Sequence, residues 1–237
     1  MQSALLDSFN AELCNQVLQS DRAARLIEEL TSRELFLIPI SGRPGWYRYH
    51  GLLKDFLRAR VAIEMPECIA PIHRRATRFF VRQQNFRQAV WHAKRAGDDS
   101  LFIHCLEQAF DYWLREGYTA HILDWAETLS DSTLLSRDEL SAPLISTLTL
   151  SRRFFRARYY LDALKEAPRN DQQARDNHAR VIDFLEMHLQ LFQHDTDFME
   201  GANLSLLMES SGHRDIRAFS LAMVAYYHLQ HGRLESA

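Results

Sequence analysis

The sequence predicts a mainly α-helical protein, in which a small winged-helix-like module with one β-hairpin precedes tetratricopeptide-like helical repeats. Two short strand patterns lie among helical patterns near the N-terminus, and no strand pattern follows residue 62. Beyond that point helical patterns follow one another and a short aromatic motif recurs. We therefore expect a winged-helix-like module over residues 1–62 and a repeat region, incomplete at its C-terminus, over residues 63–237.

The hairpin prediction depends on two strand patterns and the turn between them. Leu35–Ile40 and Trp46–His50 are rich in β-branched and aromatic residues, and Ser41–Gly45 supplies turn residues. Side chains alternate along a strand, so Arg48 and His50 share the face opposite the tyrosines. Amphipathic helical patterns flank the hairpin at Phe9–Leu18, Asp21–Thr31 and Leu52–Ile63.

Three segments of this module resemble a known family: Leu26–Leu30, Leu35–Pro39 and Trp46–Arg60. They are similar to the end of the nucleotide-switch module in MalT-type, LuxR-family ATP-dependent transcriptional regulators, which belong to the signal-transduction ATPases with numerous domains. In the wider class, a winged-helix histidine in a Met-His-Asp-like motif contacts the β-phosphate of bound ADP and holds the off state. The resemblance implies this role for His50, within Tyr49-His50-Gly51. Gly51 replaces the acidic residue of the motif, so no role of that acid is implied here.

Two modules of such regulators have no counterpart in the sequence. It contains no Gly-x-x-x-x-Gly-Lys-Ser/Thr stretch, and its eight glycines are scattered singly. A LuxR-type helix-turn-helix is also missing. We expect a fragment without enzymatic activity of its own, whose parent binds ATP or ADP through an N-terminal ATPase module and binds DNA through a C-terminal domain.

A motif of one aromatic or leucine residue followed three positions later by a small residue or histidine recurs in the helical region. Its copies are Phe86/Ala89, Tyr118/His121, Phe154/Ala157, Phe198/Gly201 and Leu234/Ala237. Their spacing is near the roughly 34 residues of a two-helix repeat, although any amphipathic helix contains such pairs. The family resemblance implies that these repeats are a sensor region for an unknown inducer or regulatory protein. The alternative is a free-standing helical-repeat adaptor that binds only proteins.

Composition limits the function classes. The formal net charge of −3 argues against a dedicated nucleic-acid binder, and no apolar run approaches the ~20 residues needed to span a membrane. Three cysteines, far apart in the sequence, are typical of a reducing compartment, so we expect a cytoplasmic protein without a membrane partner.

Charged and titratable clusters remain open to interpretation. His73–Arg95 contains six arginines and one lysine but no acidic residue, which is typical of either a docking surface or a solvated helix face. We interpret it as a solvated face, and the group Arg152, Arg153, Arg156 and Arg158 in the same way. His228 and His231 share a helical face without further ligands at metal-binding spacing, so we expect no metal site and no catalytic residues.

Overall fold

The computed structural model describes residues 1–33, 36–168 and 172–193, and its architecture is mainly helical with one small hairpin, as predicted. The N-terminal elements are α1 (Ala11–Leu18), α2 (Ala23–Ser32), β1 (Leu37–Pro39), β2 (Tyr47–Tyr49), α3 (Gly51–Glu64), α4 (Ile69–Arg82) and α5 (Phe86–Arg95). They are followed by α6 (Asp99–Arg115), α7 (Thr119–Ala126), α8 (Asp131–Leu135), α9 (Asp138–Leu150), α10 (Phe154–Lys165) and α11 (Gln172–Phe192). The chain divides into two compact units, one over Met1–Ala109 and one that begins at Phe110.

The hairpin forms where the strand patterns predicted it, although both strands are shorter than the patterns. β1 and β2 pair antiparallel, with Leu37 opposite Tyr49, and two glycines with positive φ, Gly42 and Gly45, shape the turn. Phe9 adds a short bridge on the other side of β2, exchanging two backbone hydrogen bonds with Tyr47 at 2.9 and 2.8 Å. A segment that precedes α1 therefore pairs with the second edge of β2.

The two faces of β2 differ in burial. Tyr49 is buried with its ring 5.0 Å from that of Phe9, and its hydroxyl lies 2.8 Å from the Ser3 hydroxyl. Arg48 and His50 are exposed. The alternation predicted from the sequence is thus present, and it directs the histidine outwards.

The helix that follows, α3, buries only part of the apolar face that its sequence pattern predicted. Leu53 and Leu57 are half-buried, but Leu52 and Phe56, which the pattern grouped with them, are 78% and 56% exposed. Val61 is the only residue of α3 that is fully buried. Only some of the apolar side chains of α3 therefore face the module's own core.

The first helical pair packs onto the winged-helix-like module. α4 contacts α1 as well as α5, and the Arg75 guanidinium donates a hydrogen bond to the backbone carbonyl of Val17 at the end of α1. Phe79 and Phe80 are buried, with rings 5.4 Å apart in an edge-to-face arrangement. The compact unit thus extends past residue 62, while the boundary at residue 62 remains a prediction from the sequence.

The ends of α4, α6 and α9 share one geometry, which also occurs after α1 at Gln19 and Ser20, so it is their spacing that supports a repeated two-helix unit. In each, a residue with positive φ follows the first helix, and the next residue donates a hydrogen bond to a carbonyl five positions earlier. These pairs are Asn85 to Phe80 (2.9 Å), Tyr118 to Trp113 (2.7 Å) and Arg153 to Leu148 (2.8 Å). The donors recur at intervals of roughly 34 residues, the length of a tetratricopeptide-like unit.

The shared helix end also corrects the register of one motif copy. Phe86 and Phe154 begin the second helix of their units, and Ala89 and Ala157 are fully buried three residues later. In the middle unit Tyr118 precedes the helix, so the buried position belongs to Ile122 and not to His121. The copies at Phe198 and Leu234 lie outside the described residues.

Candidate functional site

His50 lies at the junction between β2 and α3, and its backbone is held from both sides. Its N–H donates to the Phe36 carbonyl at 2.9 Å, and its carbonyl accepts from the Lys54 N–H at 2.9 Å as the first hydrogen bond of α3. The imidazole is exposed and makes no hydrogen bond to any described residue. A fixed backbone thus presents a free ring to the surroundings of the module.

The N-terminus of α3 adds a second group of hydrogen-bond donors beside His50. No side chain caps this helix end, and the first N–H groups of an α-helix have no partner within the helix. Gly51 occupies the first helical position, and a Cβ atom placed there would meet open space. Helix N-termini favour anions through these N–H groups and the helix dipole. The imidazole and the helix end together suit a phosphate.

A cluster of charges anchors α3 behind this site. The Lys54 ammonium and the Arg58 guanidinium donate to the Asp7 carboxylate at 2.6 and 3.1 Å, and Arg58 also donates to the Ala4 carbonyl at 2.8 Å. Partial burial raises the pKa of Asp7, but the two cations outweigh it and lower that pKa overall. Lys54 and Arg58 follow His50 by one and two helical turns, so the cluster fixes the helix that carries the site.

The outer side of α3 leaves large apolar side chains uncovered in the part of the chain that the structure describes. Leu52, Phe56 and Ile63, which we call the apolar stripe of α3, are 78%, 56% and 80% exposed. Phe36, whose carbonyl holds the His50 backbone, is 58% exposed. Contiguous exposed apolar groups are typical of surfaces that another protein or domain covers.

The arginine-rich stretch from His73 to Arg95 does not form a continuous free surface. Arg75 and Arg82 bond to Val17 and Gln16 of the winged-helix-like module, and Arg95 lies over the Trp91 ring at 3.6 Å. Exposed positions such as Arg78 lie between them. Two of these arginines therefore join α4 to α1, which the sequence did not predict.

Two histidines of this stretch form a buried pair. The Nδ1 atoms of His73 and His92 are 2.8 Å apart, and the His92 ring stacks on Phe80. Burial lowers the pKa of His73 to about 4 and that of His92 to about 3. Both rings are therefore neutral at pH 7, with one nitrogen donating to the other.

Two of the three cysteine thiols are buried. Burial raises the pKa of the Cys14 and Cys105 thiols to about 12, so neither forms a nucleophilic thiolate near neutral pH. Within the described ranges no three histidine, cysteine or acidic side chains are grouped as metal ligands would be. His228 and His231 lie outside those ranges. No helix in the described part is long and apolar enough to cross a membrane.

Comparison with known proteins places the N-terminal module in a family. Residues 1–69 match the family model of the MalT winged helix domain. The HTH-type transcriptional regulator MalT of Vibrio campbellii is 29% identical over 141 residues, which are 60% of this chain and 16% of that protein. MalT of Vibrio parahaemolyticus is 33% identical over 108 residues, 46% of this chain and 12% of that protein.

A second kind of relative also matches part of the chain. The serine/threonine-protein kinase PknK of Mycobacterium tuberculosis is 30% identical over 115 residues, 48% of this chain and 10% of that protein. No solved structure matches the chain. The matched part of the chain thus spans 10 to 16% of the length of these three relatives.

The fold gives the architecture of the chain, and the matches give the family of its N-terminal module. It is a mainly helical chain in which a winged-helix module precedes two-helix units. More particularly, its N-terminal module matches the MalT winged helix domain over residues 1–69, and part of the chain is similar to MalT-type transcriptional regulators.

Proposed function

We propose that this chain is a signal-relay segment of an ATP-dependent LuxR-family transcriptional activator. In this proposal the winged-helix domain covers the nucleotide site of an ATPase module located elsewhere in the parent protein. The helical repeats are the beginning of a cytoplasmic sensor, and DNA is bound by a separate C-terminal domain. The chain itself carries no catalytic step and passes the state of the sensor to the nucleotide switch.

The observation that carries the proposal is the exposed imidazole of His50 in a MalT-type winged helix domain. We assign His50 a hydrogen bond to a phosphate oxygen of ADP, strengthened by the charge of the anion. The uncapped N-terminus of α3 supports this role, since its N–H groups would favour the same anion. The nucleotide supplies the change of phosphate charge and number that distinguishes the two states of the switch.

The ATPase module also needs a surface on the winged-helix domain. The apolar stripe of α3 begins two residues after His50 and continues along the helix to Ile63. An ATPase module that contacts this stripe would bury it and bring its bound phosphates towards His50. Formation and release of the interface between the ATPase module and the apolar stripe would then couple the nucleotide state to the position of α3.

The helical repeats supply the sensor in this proposal. Stacked two-helix units present an extended surface whose geometry depends on contacts between neighbouring units. An inducer or a regulatory protein that binds one arrangement of the units more tightly than another would shift the switch by that difference in affinity.

The test is His50→Ala in the intact parent regulator, with His104→Ala as the matched control, because His104 is an exposed histidine on α6. Loss of the phosphate contact removes a bond that favours the ADP state, so we expect higher transcription from the target promoter without inducer. The control should leave basal transcription unchanged. Equal basal transcription in the His50 variant and the wild type, at equal protein levels, would refute the proposed role.

A further inference from the structure

The first turns of α10 carry an aromatic pair that the repeat architecture does not require. Phe155 is 90% exposed and Tyr159, one helical turn later, is 54% exposed. When the units are aligned on their shared helix ends, the positions equivalent to Phe155 are Arg87 in α5 and Ala120 in α7, both exposed. The shared two-helix geometry therefore does not explain a phenylalanine at this position.

Exposed positive charge lies next to this pair in the sequence. Arg152, Arg153 and Arg156 are exposed, and no acidic residue occurs between Leu150 and Tyr160. Arg152 and Arg153 form no ion pair with any residue in the described ranges. The sequence alone favoured a solvated helix face here, but a solvated face does not need a large apolar side chain at its centre.

Part of the surface is held rigid. The Tyr159 hydroxyl donates to the Asp131 carboxylate at 3.2 Å, and the Tyr160 hydroxyl donates to the same carboxylate at 3.0 Å. The Tyr159 and Tyr160 rings meet edge to face at 5.3 Å. Of the side chains on this surface, mainly the arginines would lose conformational freedom when a ligand binds. The small entropy cost favours affinity.

We propose that Arg152, Arg153, Phe155, Arg156 and Tyr159, the arginine–aromatic face of α10, bind an acidic amphipathic segment of a partner protein. Tyrosine and arginine are the residue types that contribute most to protein interfaces, and an arginine guanidinium pairs with carboxylates through two parallel hydrogen bonds. The partner's apolar side chains cover Phe155, and its carboxylates pair with the arginines.

The surroundings favour a protein partner over a nucleic acid. Asp162 is exposed on the same helix after the aromatic pair, Glu166 is exposed directly after the helix, and Asp131 lies against Tyr159. These carboxylates would repel a phosphate backbone that continued along α10. A short acidic segment can instead end before them, with its charges on the arginines.

A regulatory role for the arginine–aromatic face of α10 rests on the proposed sensor function. Binding of an acidic segment to this face is measured separately from any effect of His50. The probe is a fluorescein-labelled synthetic helix of about 16 residues, roughly four turns, with leucine and phenylalanine on one face and glutamate on the other. A version with lysine in place of glutamate and a single-stranded oligothymidine serve as comparison ligands. Fluorescence anisotropy with the full chain gives the Kd of each.

Two variants remove the proposed contacts, and each has a matched control. Phe155→Ala is compared with Arg87→Ala at the equivalent position of α5, and Arg152→Glu/Arg153→Glu is compared with Arg74→Glu/Arg78→Glu on α4. We expect the glutamate helix to bind at least about tenfold more weakly to the two α10 variants, a ratio typical of a central interface residue. Both controls should keep the wild-type Kd, and the lysine helix should not bind.

Several results would overturn the proposal. One is absence of binding by the glutamate helix, and another is equal binding by the wild type and both α10 variants. Tighter binding of oligothymidine, lost in the same variants, would identify a nucleic-acid surface instead. A lower melting temperature of Phe155→Ala would show that the chain itself covers this side chain. None of these results depends on the transcription assay of His50→Ala, so failure of one proposal is distinguishable from failure of the other.

Discussion

The buried His73–His92 pair predicts that the first compact unit loses stability in mild acid. Burial, helped by the charges of Arg95 and Arg58 and opposed by Asp7, lowers the pKa of His73 from 6.5 to about 4. Burial also lowers the pKa of His92 to about 3, and the charge of His73 is the next largest cause. The folded pKa values lie below the unfolded ones, so the unfolded chain binds more protons below pH 6.5. The stability is complete above pH 6.5 and is lost as the pH falls towards 4.

The expected size follows from proton counting. One pKa unit corresponds to about 1.36 kcal/mol, so two protons taken up only by the unfolded chain give a slope of about 2.7 kcal/mol per pH unit. Titration of the unfolded histidines is gradual near pH 6.5, so the loss between pH 6.5 and pH 5 is about 3 kcal/mol. That is a large fraction of the ~5–15 kcal/mol that stabilises a typical domain.

Hydrogen exchange of the α4 and α5 amides, measured between pH 7.5 and pH 5 and corrected for intrinsic exchange, gives the free energy of opening for this unit. The comparison is with His73→Leu/His92→Leu, which replaces both polar partners at once and leaves no buried nitrogen unpaired. We expect a steep loss of protection in the wild type and a much smaller one in the double variant. His104→Gln, at a histidine whose side chain is 67% exposed, should behave like the wild type. Equal pH dependence in the wild type and the double variant would refute the reasoning.

Three further predictions concern packing and the α3 site. Ala89→Leu should lower the free energy of unfolding by about 1–3 kcal/mol because Ala89 is fully buried, whereas Ala120→Leu at an exposed position should not; urea unfolding measures both. Asp7→Asn should cost about 1 kcal/mol, less at high salt, since Lys54 and Arg58 lose their shared anion; an unchanged urea midpoint would contradict this. Gly51→Asp should fold normally because a Cβ there meets open space, and circular dichroism and the melting temperature test this.

Local patterns determined the features of the site that depend on neighbours in sequence. The turn glycines Gly42 and Gly45 and the alternation of tyrosines in β2 led directly to an outward-facing His50 at the start of α3. The family resemblance of the same segment agreed with the match of residues 1–69 to the MalT winged helix domain. These features were predictable because turns, strand faces and helix starts are set over a few residues.

Other features had no local signal. The Asp7 cluster joins residues 47 and 51 positions apart, and the His73–His92 pair forms only when α4 and α5 pack together. The middle repeat was misplaced by one residue because Tyr118 resembles the aromatic of the other copies, whereas the backbone hydrogen bonds place it before the helix. Such contacts depend on how helices meet, which spacing along one helix does not specify.

The sequence by itself therefore determined the order of elements, the winged helix domain and the position of His50, because each follows from periodicity and turn chemistry over short distances. The tertiary structure decided which apolar residues remain uncovered. Leu52 and Leu53 are neighbours of the same type, and so are Phe154 and Phe155, yet in each pair one side chain is far more exposed than the other. The physical reason is that burial is a property of the surface against which a helix packs, and that surface is supplied by residues distant in the sequence.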